Sequence, residues 1–238
     1  MVRLLLLFLL TNLTLSALAQ EDEQRILFSD ALAMHLPKYE ERAKKAYRTR
    51  NYEEAHNLFD SLVNIELNGS YMDNFTFNTL KGKQITLYDI KKPVYLITYA
   101  SWCISTKGEI PAINALATKY QDKIDFVILF WDTQKTTKKM SKSYNENIKI
   151  LYVDELNNKD SFVISQLKHS LGLPTTFLLD GTKKIVDIRR GITHPMTKTF
   201  EESYDMNYNS INDGIANHLL TKDRKFALTK ETVAINGI

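Results

Sequence analysis

The chain has 238 residues, with 31 Lys and Arg against 28 Asp and Glu, and a formal net charge of +3. Acids and bases are interspersed, which argues against the segregated basic face of a nucleic-acid-binding protein. A single cysteine, Cys103, rules out any internal disulfide.

Residues 1–19 read as a secretory signal. Arg3 precedes the apolar run of residues 4–10, and Ala17-Leu18-Ala19 offers a small-residue cleavage site before Gln20. Thr11, Asn12 and Thr14 interrupt the apolar run, so it is short for a membrane span. The expectation is an exported protein, cleaved near Ala19 and left without a membrane span. Its lone thiol is then buried and inert, exposed and free, or paired with another molecule.

Residues 20–68 are charged and helical in pattern, with Pro37 expected to interrupt the helix or begin a new one. Ala43, Ala46 and Tyr47 share one face. After Arg50-Asn51, a second apolar set repeats at helical spacing: Tyr52, Ala55, Leu58, Phe59 and Leu62. The pair resembles a single tetratricopeptide-like unit, expected as one helical hairpin beside the main domain. Asn68-Gly69-Ser70 reads as a hinge into residues 69–220.

The central segment is VYLITYASWCISTKGEIP, residues 94–111. Its β-branched and aromatic start, Val94–Tyr99, predicts a buried strand. A turn follows, and a helix is expected to begin at or near Cys103, where unpaired N–H groups and the helix dipole favour the thiolate. Pro111 is expected to kink that helix. The nearly all-apolar residues 124–131 predict a central parallel strand covered on both faces. A polar helix is expected within 133–145, a strand at 148–153 and a helix at 161–170. Asp180-Gly181 signals a hairpin. Residues 208–220 supply a closing helix, and 221–238 read as a C-terminal tail. Strands alternating with helices give an α/β class.

Trp102, Cys103, Lys107, Glu109 and Pro111 resemble the active-site pattern W-C-x-x-C-(K/R)-x-E-x-P of the thioredoxin superfamily, in its TlpA/ResA-like branch. Thr106 stands where that pattern has its second cysteine. Gly172-Leu173-Pro174-Thr175 is similar to the superfamily's G-(V/I)-P-T element, whose proline is cis. The resemblance implies a thioredoxin-like fold: a central mixed sheet flanked by helices, here preceded by the helical hairpin. It also implies that Cys103 is the nucleophile, that Glu109 takes part in proton transfer, and that Trp102, Leu173, Pro174 and Thr175 shape a substrate groove.

Thr106 can hydrogen-bond a thiolate but cannot resolve a sulfur–sulfur bond, so a self-contained dithiol cycle is excluded. Monothiol thiol–disulfide exchange remains, with a cysteine-containing envelope protein or a small thiol as partner and the periplasm or cell envelope as location. The alternative is a redox-inactive interaction module on the same fold. A peroxidase is disfavoured, because Leu96 and Ala100 occupy the Pro and Thr/Ser positions of the P-x-x-x-(T/S)-x-x-C pattern. His35, His56, His169, His194 and His218 lack ligand spacing, and there is no Gly-rich phosphate loop, so neither metal nor cofactor is expected.

Overall fold

The computed structural model describes residues 25–158, 161–191 and 198–220. The leader, His194, Pro195 and the C-terminal tail lie outside them.

Helix α1 spans Phe28–Arg48 without a break. Pro37 lies inside it and does not end it, contrary to the sequence expectation. Losing one N–H there forfeits one helical bond. The buried stripe of Phe28, Ala31, Leu32, Ala43 and Ala46 runs past that point on both sides, so packing carries the helix through. Arg50, at φ 56, turns the chain into α2, Tyr52–Ser61. The Asn51 side chain caps α2 by accepting from the Glu54 N–H. A wider π-helical stretch, Leu62–Leu67, continues it.

The segment after α2 is fastened rather than loose. Gly69, at φ 95, donates its N–H to Ile185, and Ile185 donates back to Ser70. Two short strands, β1 (Thr76–Thr79) and β2 (Gln84–Thr86), form a hairpin, with Gly82 at φ 78 in its turn. Then come β3 (Val94–Tyr99), α3 (Glu109–Tyr120), β4 (Asp125–Phe130), α4 (Gln134–Met140) and β5 (Ile148–Tyr152). A short helix α5, Ser161–Ile164, widens into Ser165–His169. Strands β6 (Thr175–Leu179) and β7 (Ile185–Arg190) make the second hairpin. Lys183, at φ 68, takes the left-handed position in its turn, and Asp180 accepts from the N–H groups of Thr182 and Lys184. The closing helix α6 covers Phe200–Gly214 and continues through Ile215–Leu219. It begins eight residues before the sequence expectation.

The seven strands lie in the order β2-β1-β5-β4-β3-β6-β7. Strand β4 is central and parallel to both neighbours, β3 and β5, while the β1/β2, β1/β5, β3/β6 and β6/β7 pairs are antiparallel. This is the mixed sheet that the resemblance implied. Alternation along β3 and β4 builds two hydrophobic layers. Leu96, Val127 and Leu129 join Phe28, Phe59, Leu62 and Val163 on one face. Tyr95, Ile97, Phe126 and Ile128 join Ile113, Leu116, Ile211 and Ile215 on the other. The helical hairpin therefore supplies part of one covering layer. Phe28 meets Phe177 of β6 edge to face, with ring centroids 5.5 Å apart, an arrangement worth about 1 kcal/mol beyond its buried area.

Candidate functional site

Two loops meet at the same end of the sheet. The first, residues 100–108, leaves β3. The second, residues 171–174, enters β6. The β3/β6 register pairs Thr98 with Thr175, so continuing it by one residue sets Pro174 beside Tyr99, four residues before Cys103.

The first loop departs from expectation. Cys103 lies in a turn, its N–H donated to the Ala100 carbonyl at 2.9 Å, and the helix begins at Glu109, six residues later. The dipole and free N–H groups of a helix start are therefore not at the sulfur. Polar groups on other elements bind the intervening residues instead. Asp132, just after β4, accepts from the Ser101 N–H at 2.8 Å and from its hydroxyl at 2.6 Å. Glu109 accepts from the Thr106 N–H at 3.2 Å. Ser203 Oγ of α6 accepts from the Gly108 N–H at 2.9 Å. Asn207 Nδ2, also on α6, donates to Thr106 Oγ1 at 2.8 Å. The late start also explains Pro111. It is the third residue of α3, where its missing N–H would have bonded outside the helix, so no kink is required.

Cys103 is half-buried and packs against both hydrophobic layers. Burial pushes its thiol above the ordinary value. The negative charges of Asp132 and Glu109 push the same way, and a backbone hydrogen bond at Ala100 opposes them. Trp102 and Ile104 flank it and point outward, 67% and 85% exposed. Trp102 thus offers a surface beside the cysteine rather than core packing. Thr106, expected to tune the thiolate, instead has its oxygen bonded by Asn207.

The second loop matches its motif. Gly172 takes φ 79, the Leu173–Pro174 bond is cis, and Thr175 Oγ1 donates to the Gly172 carbonyl at 2.9 Å. The buried Thr98 hydroxyl donates to the Thr175 carbonyl at 3.0 Å and accepts from its N–H at 3.3 Å. Leu173 packs on one of the two layers that also hold Cys103. The structure thus gathers Trp102, Cys103, Thr106, Glu109, Leu173, Pro174 and Thr175 at one end of the sheet. Thr98, Gly108, Asp132, Ser203 and Asn207 join them unforeseen. Among the described residues, no group of three His, Cys, Asp or Glu could hold a metal ion.

A signal for part of that second set was present in the sequence. Thr199-x-x-Glu202 is a capping box, observed with the Thr199 hydroxyl on the Glu202 N–H and the Glu202 carboxylate on the Thr199 N–H. It marks the start of α6 and puts Ser203 and Asn207, four residues apart, on one face.

The fold and the paired loops define a thioredoxin-superfamily redoxin of the TlpA/ResA-like kind. The profile of the AhpC/TSA family matches residues 69–188, and the chain belongs to that family. It is 28% identical over 140 residues to the thioredoxin-like protein YneN of Bacillus subtilis, an alignment covering 58% of this chain and 79% of YneN. It is 32% identical over 123 residues to the thiol-disulfide oxidoreductase ResA of Bacillus cereus, covering 50% of this chain and 67% of ResA. Among solved structures, the thioredoxin domain of a thiol-disulfide oxidoreductase from Bacteroides vulgatus is similar, at 23% identity and a TM-score of 0.46. That similarity covers 61% of this chain and 96% of the domain. The chain is thus a member of the thiol–disulfide oxidoreductase-like, thioredoxin-fold proteins. Membership alone does not assign the reaction.

Proposed function

We propose that this protein performs monothiol thiol–disulfide exchange through Cys103. The Cys103 thiolate attacks one sulfur of a partner's disulfide. A new sulfur–sulfur bond forms to Cys103, and the other partner sulfur leaves as a thiolate that takes up a proton. An external thiol then attacks the mixed disulfide and regenerates Cys103. The carrying observation is the sole cysteine of the chain, half-buried at the end of β3 beside the cis-proline loop, with a threonine in the resolving position. Glu109 is close enough to bias the thiol electrostatically and is the residue suited to proton movement. Trp102, Leu173 and Pro174 form the walls that receive the partner, whereas Thr175, expected to line the groove, is 1% exposed and closes back onto the Gly172 carbonyl behind them. The partner is a cysteine-containing envelope protein or a small thiol. Export to the periplasm or envelope is inferred from the leader-like residues 1–19.

A second reading, a redox-inactive binding module, draws on two observations. Burial pushes the thiol above its ordinary value and so disfavours the thiolate, and Thr106 is engaged by Asn207.

The two readings separate in a trapping experiment. The purified protein and its Cys103→Ser variant are incubated with hydroxyethyl disulfide and analysed by intact mass. Monothiol exchange gives one adduct on the natural protein and none on the variant. The adduct forms faster as pH rises toward and past 9.0, the ordinary thiol value that Cys103 exceeds. An unmodified natural protein under conditions that modify a free thiol leaves the binding module.

A further inference from the structure

The Cys103 loop is anchored from α6, more than ninety residues further along the chain. Asn207 is 3% exposed, and its Nδ2 donates both to Thr106 Oγ1 at 2.8 Å and to the Ser203 carbonyl at 2.7 Å. One turn earlier on the same face, the fully buried Ser203 accepts from the Gly108 N–H. A Cβ on Gly108 would lie 2.1 Å from the backbone nitrogen of Tyr204. The α6 backbone therefore rests directly on the loop, and only glycine fits there. These are three independent contacts from one helix to residues 106–108. The far end of the loop is tied to Asp132. Cys103 lies between the two ties.

We propose that Asn207 is a positioning residue of the thiol site, holding Thr106 so that the Cys103 loop stays seated on the sheet with its thiol half-covered. Thr106 is then the anchor point of a clasp from α6, a role its hydroxyl fills as acceptor. A cysteine there would accept the Asn207 hydrogen bond only weakly. Asn207 acts through Thr106 and contacts neither the sulfur nor a substrate in this arrangement. The proposal goes beyond the exchange reading: it concerns the access and protonation of the thiol, whatever disulfide Cys103 meets and whether or not it turns over.

Opening the clasp uncovers the thiol. Its burial cost falls, so its alkylation at neutral pH speeds up. The other titratable groups facing the sulfur are Asp132 after β4, Glu109 on α3, whose carboxylate accepts from the Thr106 N–H, and Tyr99 on β3; the substitutions at 106 and 207 change none of them chemically. The test is the pH profile of Cys103 alkylation by iodoacetamide in the full chain, with a thermal melt confirming that each variant is folded. Asn207→Leu keeps the bulk and removes the donor. Thr106→Val keeps the shape and removes the acceptor. Thr106→Ser keeps the hydroxyl.

The expected result is that Asn207→Leu and Thr106→Val each raise the neutral-pH rate about five-fold, the ratio set by one net hydrogen bond. Each also moves the profile to lower pH. Thr106→Ser keeps the natural profile. The double variant reacts no faster than Asn207→Leu alone, because the contact that Thr106→Val removes is already lost in Asn207→Leu. Unchanged profiles in both single variants overturn the proposal, and so do effects that add. If Asn207→Leu fails to fold, Thr106→Val carries the test. If both fail to fold, the contact belongs to the core rather than to the loop, and the proposal is wrong. A positive result here with no mixed disulfide on Cys103 would refute exchange and leave the clasp standing.

Discussion

The two loops at the site are built in opposite ways. The proline loop is held by its own residues and by the strand next to it: Gly172 supplies the left-handed turn, Thr175 closes back onto Gly172, and Thr98 holds both backbone groups of Thr175. The cysteine loop, residues 100–108, has local bonds at Ala100, Tyr99 and Glu109, but its two ends are tied by groups brought from elsewhere, namely Asp132 after β4 and Ser203 and Asn207 on α6. A loop fixed by its own sequence can be read from a motif. A loop fixed by distant partners cannot, and here that loop carries the reactive atom.

The contrast can be broken most severely at Gly108. Gly108→Ala drives a methyl group into the α6 backbone at Tyr204. The expected cost is about 3 kcal/mol, read by urea denaturation, and Cys103 alkylation should change with it because α6 is displaced. The proline loop should lose less. Thr98→Val removes the hydroxyl that serves both backbone groups of Thr175, at an expected cost of about 2 kcal/mol in the same assay. The smallest effect belongs to Gly172→Ala. Space is open around that residue, so only the strain of a positive φ remains, about 1 kcal/mol. Gly172→Ala should leave the alkylation rate of Cys103 unchanged. A Gly172→Ala penalty larger than that of Gly108→Ala would mean that the loops are not built as described.

Much of the fold was legible. The β-branched, aromatic and all-apolar runs located β3 and β4, and the strand expected at 148–153 is β5. The Asp180-Gly181 turn located the second hairpin, and the Leu173-Pro174-Thr175 motif located the cis bond, because each of these signals is local. Three errors share one cause. Pro37 sits in a helix carried by its buried stripe, Pro111 falls in a first turn rather than mid-helix, and α3 starts at Glu109 rather than at Cys103. In each case tertiary contacts decided what local preference left open. The raised thiol pKa follows from the same displacement, since the sulfur meets burial and two carboxylates where a helix start was expected. The clasp was half-legible. The Thr199-x-x-Glu202 box gives the start of α6, and nothing local to Thr106 reveals that Asn207 will reach it.

The central claim is that Cys103 forms a mixed disulfide that no group within the chain can resolve. The most direct measurement prepares the protein as its Cys103 mixed disulfide and follows release against the concentration of an added small thiol. Monothiol exchange gives a release rate proportional to external thiol, with an intercept of zero and full recovery of free Cys103. A release phase independent of external thiol would contradict the account, and so would a Cys103 that cannot be converted to a mixed disulfide in the folded protein.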